Sequence, residues 1–276
     1  MDPAVSGVTV SVDAFGVAEL VMCRTEARNA LSTEQADQIA SAAIELNSRP
    51  DVRVVVMSSA DPRFFSVGAD LKERRSLDEP GLLAARGHST AATQALLDLA
   101  VPTLAAVSGM ALGGGLELAL TCDVVVADST ALVGLPETGV GIIPGGGGTQ
   151  LLPRRIGIGR AAELIFTGRR LSAAEAHGYG IVDVLVDDDA VGAALQLATT
   201  IAAKSPNAQR NAKAALRNGQ DRPLAEALSV EDGQWRSSAC SADYREGLAA
   251  FAEKRPPDWP SPSLSPVPPR TTGDTP

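Results

Sequence analysis

Residues 103–128 read TLAAVSGMALGGGLELALTCDVVVAD, and this stretch decides the fold. The apolar run 103–109 has the length of a buried strand, and three consecutive glycines, Gly113 to Gly115, then open a segment with helical apolar spacing up to Thr121. The run DVVVAD at 123–128 predicts the next strand. The order strand, glycine turn, helix recurs on both sides: RVVVMSS (53–59) is a short apolar strand, and ALVGLPE leads towards a helix following Gly145. Such repetition implies an α/β core whose functional loops follow strand ends.

Working outward, Val8, Val10 and Val12 alternate and Gly16 turns the chain into a second run, 17–22, which predicts a hairpin. Ser32 or Thr33 with Glu34 opens a helix through about Asn47. The stretch 75–95 reads as a variable loop. From about Leu171 the chain turns helical, with one strand expected near Ile181 to Val186 and helices over 189–203, 206–217, 223–238 and 242–254. Three parts result: a core over 1–202, a helical subdomain over 203–256, and a proline-rich tail over 257–276. The tail is expected to be disordered, having too many prolines for helix or sheet and too few apolar residues for a core.

Composition narrows the function. A chain of 276 residues, 45% hydrophobic and 21% charged, can bury a substantial core, and a formal net charge of -9 argues against a nucleic-acid partner. Cys23, Cys122 and Cys240 are too few and too dispersed for a metal site or a disulfide framework. The N-terminus lacks signal-peptide features, and no window reaches the ~18 apolar residues of a membrane span. No membrane role and a cytoplasmic location are the expectation.

The chemistry gathers around two glutamates. Gly113 to Gly115 let backbone approach a ligand at a helix start whose N–H groups lack intrahelical partners, and Glu117 lies about one turn further on. Glu137, in GLPETGVGIIPGGGGTQ (134–150), is fixed by Pro136 ahead of a second glycine-rich helix start at Gly145 to Gly148. Taken singly, each carboxylate also fits an ordinary helix-end glutamate. Together they suggest acid/base chemistry beside an oxyanion site. A third junction, PRFFSVGADLKERR (62–75), offers the amides of Gly68, Ala69 and Asp70 as a second donor, with Lys72 nearby to meet a phosphate. Two signals are discounted. Gly157-Ile158-Gly159-Arg160-Ala161-Ala162 follows PRRI instead of an apolar strand and reads as a helix-to-helix turn, and His88 (in a polar loop) and His177 read as surface or turn residues.

FSVGADLKE, ALGGGLELALTCD, GLPETGVGIIPGGGGTQLLPRRIG and AFAEKRPP together resemble the enoyl-CoA hydratase/isomerase (crotonase) superfamily over about residues 7–256. The wording is particularly similar to hydratases that include methylglutaconyl-CoA hydratase. The resemblance implies stacked ββα turns with a C-terminal helical trimerisation region, assembled as a homotrimer or dimer of trimers. It also implies hydration of a trans-2-enoyl-CoA thioester without metal or redox cofactor. The oxyanion donors fall on Ala69 and Gly114, the acid/base pair on Glu117 and Glu137, and a water-positioning amide on Gly145. Coenzyme A contacts fall on Val67, Asp70, Leu71, Lys72 and Lys254, with Trp235 where family members place an aromatic near the ligand. Thr25 stands where proline is common and Val67 where alanine is. The helix of an RNA-binding relative is lysine-rich, whereas LSTEQADQIASAAIELN here has no lysine or arginine. Isomerisation, methylglutaconyl-CoA hydration and a non-catalytic acyl-CoA-binding paralogue are the alternatives.

Overall fold

Three successive repeats in the middle of the chain each send one strand into a large sheet and the next into a small one. The structure, a computed structural model, describes residues 7–261. After the antiparallel hairpin β1 (Val8–Val12) and β2 (Val17–Met22) comes α1 (Thr33–Ser48), whose Ser32 cap accepts the Gln35 amide at 3.2 Å. The next pair is β3 (Val54–Ser59) and β4 (Phe64–Ser66), followed by α2 (Leu71–Arg75) and α3 (Glu79–Leu97). Then come β5 (Thr103–Val107), β6 (Met110–Leu112) and α4 (Gly114–Thr121), and after them β7 (Val124–Asp128), β8 (Leu132–Gly134), a 3-10 turn (Glu137–Val140), α5 (Gly148–Ile156) and α6 (Ile158–Thr167). The chain continues through β9 (Arg170–Ser172), α7 (Ala173–Tyr179), β10 (Val184–Val186), α8 (Ala190–Ala202), α9 (Pro206–Gly219), α10 (Leu224–Ala239) and α11 (Ala242–Glu253).

The large sheet runs β1-β2-β3-β5-β7-β10 and the small one β4-β6-β8-β9. From β2 to β10 the large sheet is parallel, as is β4-β6-β8 in the small one. These are the stacked ββα turns that the resemblance implied. Ala69, Gly114 and Glu137 therefore follow the carboxyl ends of three neighbouring strands, where a parallel sheet offers its ligand crevice.

Burial follows the residue pattern. Ala36, Ile39, Ala43 and Leu46 line the inner face of α1 and join Leu20, Met22, Met57 and Phe65 in the main core. On the far side of the large sheet, Ala194, Ala198 and Ala202 of α8 pack on Val17, Val54, Val56, Leu104 and Val126, and their small side chains bring the helix close to the strands. A partly buried ion cluster, with Lys213 at its buried centre, ties α9 to the core. Lys213 Nζ donates to the Val101 carbonyl at 2.7 Å and pairs with Asp123 at 2.8 Å, while Arg217 grips the other Asp123 oxygen at 2.7 Å. Burial pushes the Asp123 carboxyl up, but the two cations outweigh it and hold it below its ordinary range.

Four expectations change. The stretch read as a variable loop at 75–95 is mostly the helix α3, started by Asp78, which accepts the Gly81 amide at 2.9 Å, with Pro80 in the first turn. His88 is therefore a helix residue, paired with Asp37 of α1 at 2.5 Å. The strand expected at 181–186 is only Val184–Val186. Of the tail expected to be disordered, residues 257–261 are held: Trp259 Nε1 donates to the Ala203 carbonyl at 2.9 Å and the Ser261 amide to Asp243 at 2.9 Å. Residues 262–276 lie outside those described.

Candidate active site

The loop after β4 is built by a buried asparagine. Asn29 Nδ2 donates to Ser59 Oγ at 2.7 Å and the Phe65 carbonyl at 3.1 Å, and Ser66 Oγ donates back to the Asn29 carbonyl at 2.7 Å. Of the three amides at this junction, Gly68 N donates to Ser66 Oγ and Asp70 N to the Leu31 carbonyl. Ala69 N is left without a protein acceptor among the described residues. Gly114 N, in the first turn of α4, is left in the same way.

These two amides converge. A β-carbon placed on Gly68 would sit 3.0 Å from Gly114 N, and one placed on Gly114 would sit 3.8 Å from Ala69 N. The close approach of β4 to α4 depends on Gly115, where a β-carbon would fall 2.2 Å from the Ser66 carbonyl oxygen. The two free amides of Ala69 and Gly114 therefore lie close together beside this turn.

The two glutamates stand close enough for the charge of Glu117 to act on Glu137. Glu117 is 4% exposed, and its Oε1 accepts from Gly146 N and Gly148 N, each at 2.7 Å. Burial raises its carboxyl above the ordinary range, while the two amides and the charges of Arg86 and Arg74 oppose that rise. Glu137 lies across the oxyanion turn, its Oε1 3.1 Å from where a side chain on Gly113 would begin. Its Oε2 is buried with no protein hydrogen bond. Burial, with the charge of Glu117 adding to it, pushes this carboxyl up to about 7. One acid is thus held as a doubly hydrogen-bonded acceptor, and the other is poised to keep or release a proton near neutral pH.

The remaining expected residues are placed unevenly. Gly145 directs its carbonyl to Arg86 Nη1 on α3, and its neighbours supply the amides that reach Glu117. Asp70 is fully engaged: its carboxylate caps α2 through Lys72 N and Glu73 N and pairs with Arg24 at 2.8 Å, and its carbonyl accepts from Arg74 N. It shapes the 67–72 segment and has no polar group spare for a ligand. Val67 donates its amide to the Arg28 carbonyl at 3.3 Å, while Leu71 and Lys72 are exposed. Lys254 caps α11, exposed, and no described hydrogen bond or ion pair joins it to the 67–72 segment. Trp235 is exposed on α10. Arg86 and Thr93 were missed because their helix was read as a loop; Asp78 followed by Glu79-Pro80 was the available signal.

The enoyl-CoA hydratase/isomerase family matches residues 13–262. The chain is 41% identical over 251 residues to the mitochondrial methylglutaconyl-CoA hydratase of Mus musculus, covering 88% of this chain and 79% of that protein. It is 44% identical over 241 residues to YngF of Bacillus subtilis, covering 87% of this chain and 92% of that one. The crystal structure of an enoyl-CoA hydratase from Bacillus anthracis superposes with a TM-score of 0.90 at 38% identity, covering 92% of this chain and 99% of that one. With two free amides, one buried and one half-buried glutamate following the carboxyl ends of β4, β6 and β8, and these likenesses running nearly end to end, the chain belongs to the enoyl-CoA hydratase/isomerase family.

Proposed function

We propose that this protein is an enoyl-CoA hydratase, adding water across the 2,3 double bond of a trans-2-enoyl-CoA to give the 3-hydroxyacyl-CoA. The observation that carries the reading is the unequal pair of acids beside the Ala69 and Gly114 amides. Those amides receive the thioester oxygen and stabilise the negative charge that builds on it as the nucleophile adds at C3. Losing one such donor typically costs ~3 kcal/mol of barrier. Glu117, fixed through one oxygen by two N–H groups, accepts the proton of the attacking water. Glu137, with its carboxyl near 7, delivers a proton to C2. The proton gained by Glu117 returns to Glu137 through solvent, and the balance is one water added with no change of redox state. The reaction therefore calls for no redox cofactor.

Coenzyme A is assigned to the 67–72 segment, with exposed Lys72 near its phosphates and Lys254 supplied from the C-terminal helices. Leu216, Leu224, Leu228 and Trp235, large apolar side chains exposed on α9 and α10, support assembly as a homotrimer or dimer of trimers that would cover them. A cytoplasmic location is retained from the sequence; among the described residues no helix is long and apolar enough to cross a membrane. A second reading, hydration of methylglutaconyl-CoA, is favoured by the relative that carries that name.

The test is loss of enone absorbance from crotonyl-CoA and from a panel of longer and branched enoyl-CoA thioesters. Glu117→Gln and Glu137→Gln should each lower turnover by at least ~100-fold with the fold intact. Wild-type rates in either variant refute the assignment.

A further inference from the structure

Glu117 is aimed by a turn that cannot aim itself. Residues 145–148 are four consecutive glycines, with no side chains to pack and more backbone freedom than any other residue type. Yet Gly146 N and Gly148 N both lie at 2.7 Å from one Glu117 oxygen. The Gly148 end is held by α5, whose Gln150 and Leu151 amides donate to the Gly147 carbonyl, and the Gly145–Gly146 end is held from α3. Arg86 Nη1 donates to the Gly145 carbonyl, and Thr93 Oγ1 divides its one proton between the Ser89 carbonyl of its own helix at 3.1 Å and the Gly146 carbonyl at 3.2 Å. The two side chains are seven residues apart, two helical turns, and so share one face of the helix.

Peptide planarity links the two sides. The Gly145 carbonyl and the Gly146 N–H belong to one rigid peptide unit and point in opposite directions. Holding that carbonyl from α3 therefore turns that N–H towards Glu117. We propose that Arg86 is a positioning residue for the hydration base, locking the Gly145–Gly146 peptide so that the Gly146 amide faces Glu117, with Thr93 as a second, weaker hold on the turn.

The charged groups facing Glu117 are Arg86 from α3, Arg74 from α2 and Glu137 from the 3-10 turn. Removing Arg86 deletes both a hold and a positive charge, whereas Thr93 contributes a hold alone. Both losses act in one direction: amides that drift from Oε1 stabilise the carboxylate less, so Glu117 binds its proton more tightly.

The role of Glu117 as base rests on the hydratase reading, and the experiment separates the two. Arg86→Met, Arg86→Lys and Thr93→Val are compared with wild type in kcat and KM against pH on a turned-over enoyl-CoA. In parallel, the Glu117 carboxyl is titrated by 13C NMR in substrate-free protein. Arg86→Met should lower kcat about tenfold, the scale of one charge-assisted hydrogen bond, with KM within about twofold and the acid limb of the kcat profile displaced to higher pH. Thr93→Val should move the same quantities in the same direction by a smaller amount, about two- to threefold in kcat, as befits a neutral hydrogen bond. Arg86→Lys should recover most of the loss, because its ammonium can reach the same carbonyl. The Glu117 titration should move upward in Arg86→Met and Thr93→Val. An unmoved titration in both variants, or a loss confined to KM, overturns the positioning role. Absence of hydration by the wild type would sink the hydratase reading alone, with the titration still deciding the role of Arg86.

Discussion

Glu137 should make the protein less stable at neutral and alkaline pH than it would be without that charge. Its carboxyl rises from the ordinary 4.5 to about 7 because burial disfavours the anion and Glu117 stands nearby. A raised value in the folded state means that the group's stabilising contribution is complete below its unfolded value, and is lost as pH climbs through the folded one. At about 1.4 kcal/mol per pH unit the ceiling is about 3 kcal/mol, and partial solvent access reduces the expected effect to about 1 to 2 kcal/mol. Glu137→Gln does not titrate in this range. Relative to wild type the variant should therefore gain about 1 to 2 kcal/mol between about pH 4.5 and about pH 8. The assay is urea unfolding of both proteins across that range, at one protein concentration so that any assembly contributes equally. Taking the difference between pH values removes whatever the amide itself changes in packing. A flat difference, or a variant that loses ground as pH rises, refutes the argument that Glu137 is ionised at a cost.

Two further outcomes probe the scaffold. Gly115→Ala places a β-carbon 2.2 Å from the Ser66 carbonyl oxygen, so denaturant melts should show a loss of about 1 to 3 kcal/mol, and turnover should fall because the Ala69 and Gly114 amides are forced apart. Asp123→Ala leaves Lys213 buried without its partner, which should cost about 3 to 5 kcal/mol in urea unfolding; Asp123→Ala combined with Lys213→Met should recover most of that.

Much of this protein was legible as a string because its decisive features are local. A strand that ends in Gly113 to Gly115 and restarts as a helix can be read from neighbouring residues alone, and so can the Ser32 cap and the glycines before α5. The resemblance carried by four ordered motifs also singled out Ala69, Gly114, Glu117 and Glu137, although none of them is within two residues of another. What the string could not decide was each group's state. Three amides competed at Gly68 to Asp70, and only their partners in the folded chain, Ser66 Oγ nearby and the distant Leu31 carbonyl, showed which one stays free. Two glutamates read alike in sequence became unlike once one gained two backbone donors and the other gained none for its buried Oε2. The helix α3 was hidden because its small and polar residues carry little apolar periodicity, and its contacts with the 145–148 turn span more than fifty residues of chain. Residue type and spacing set which chemistry was available; ionisation and aim belong to tertiary structure, because desolvation and hydrogen-bond direction are properties of neighbours in space.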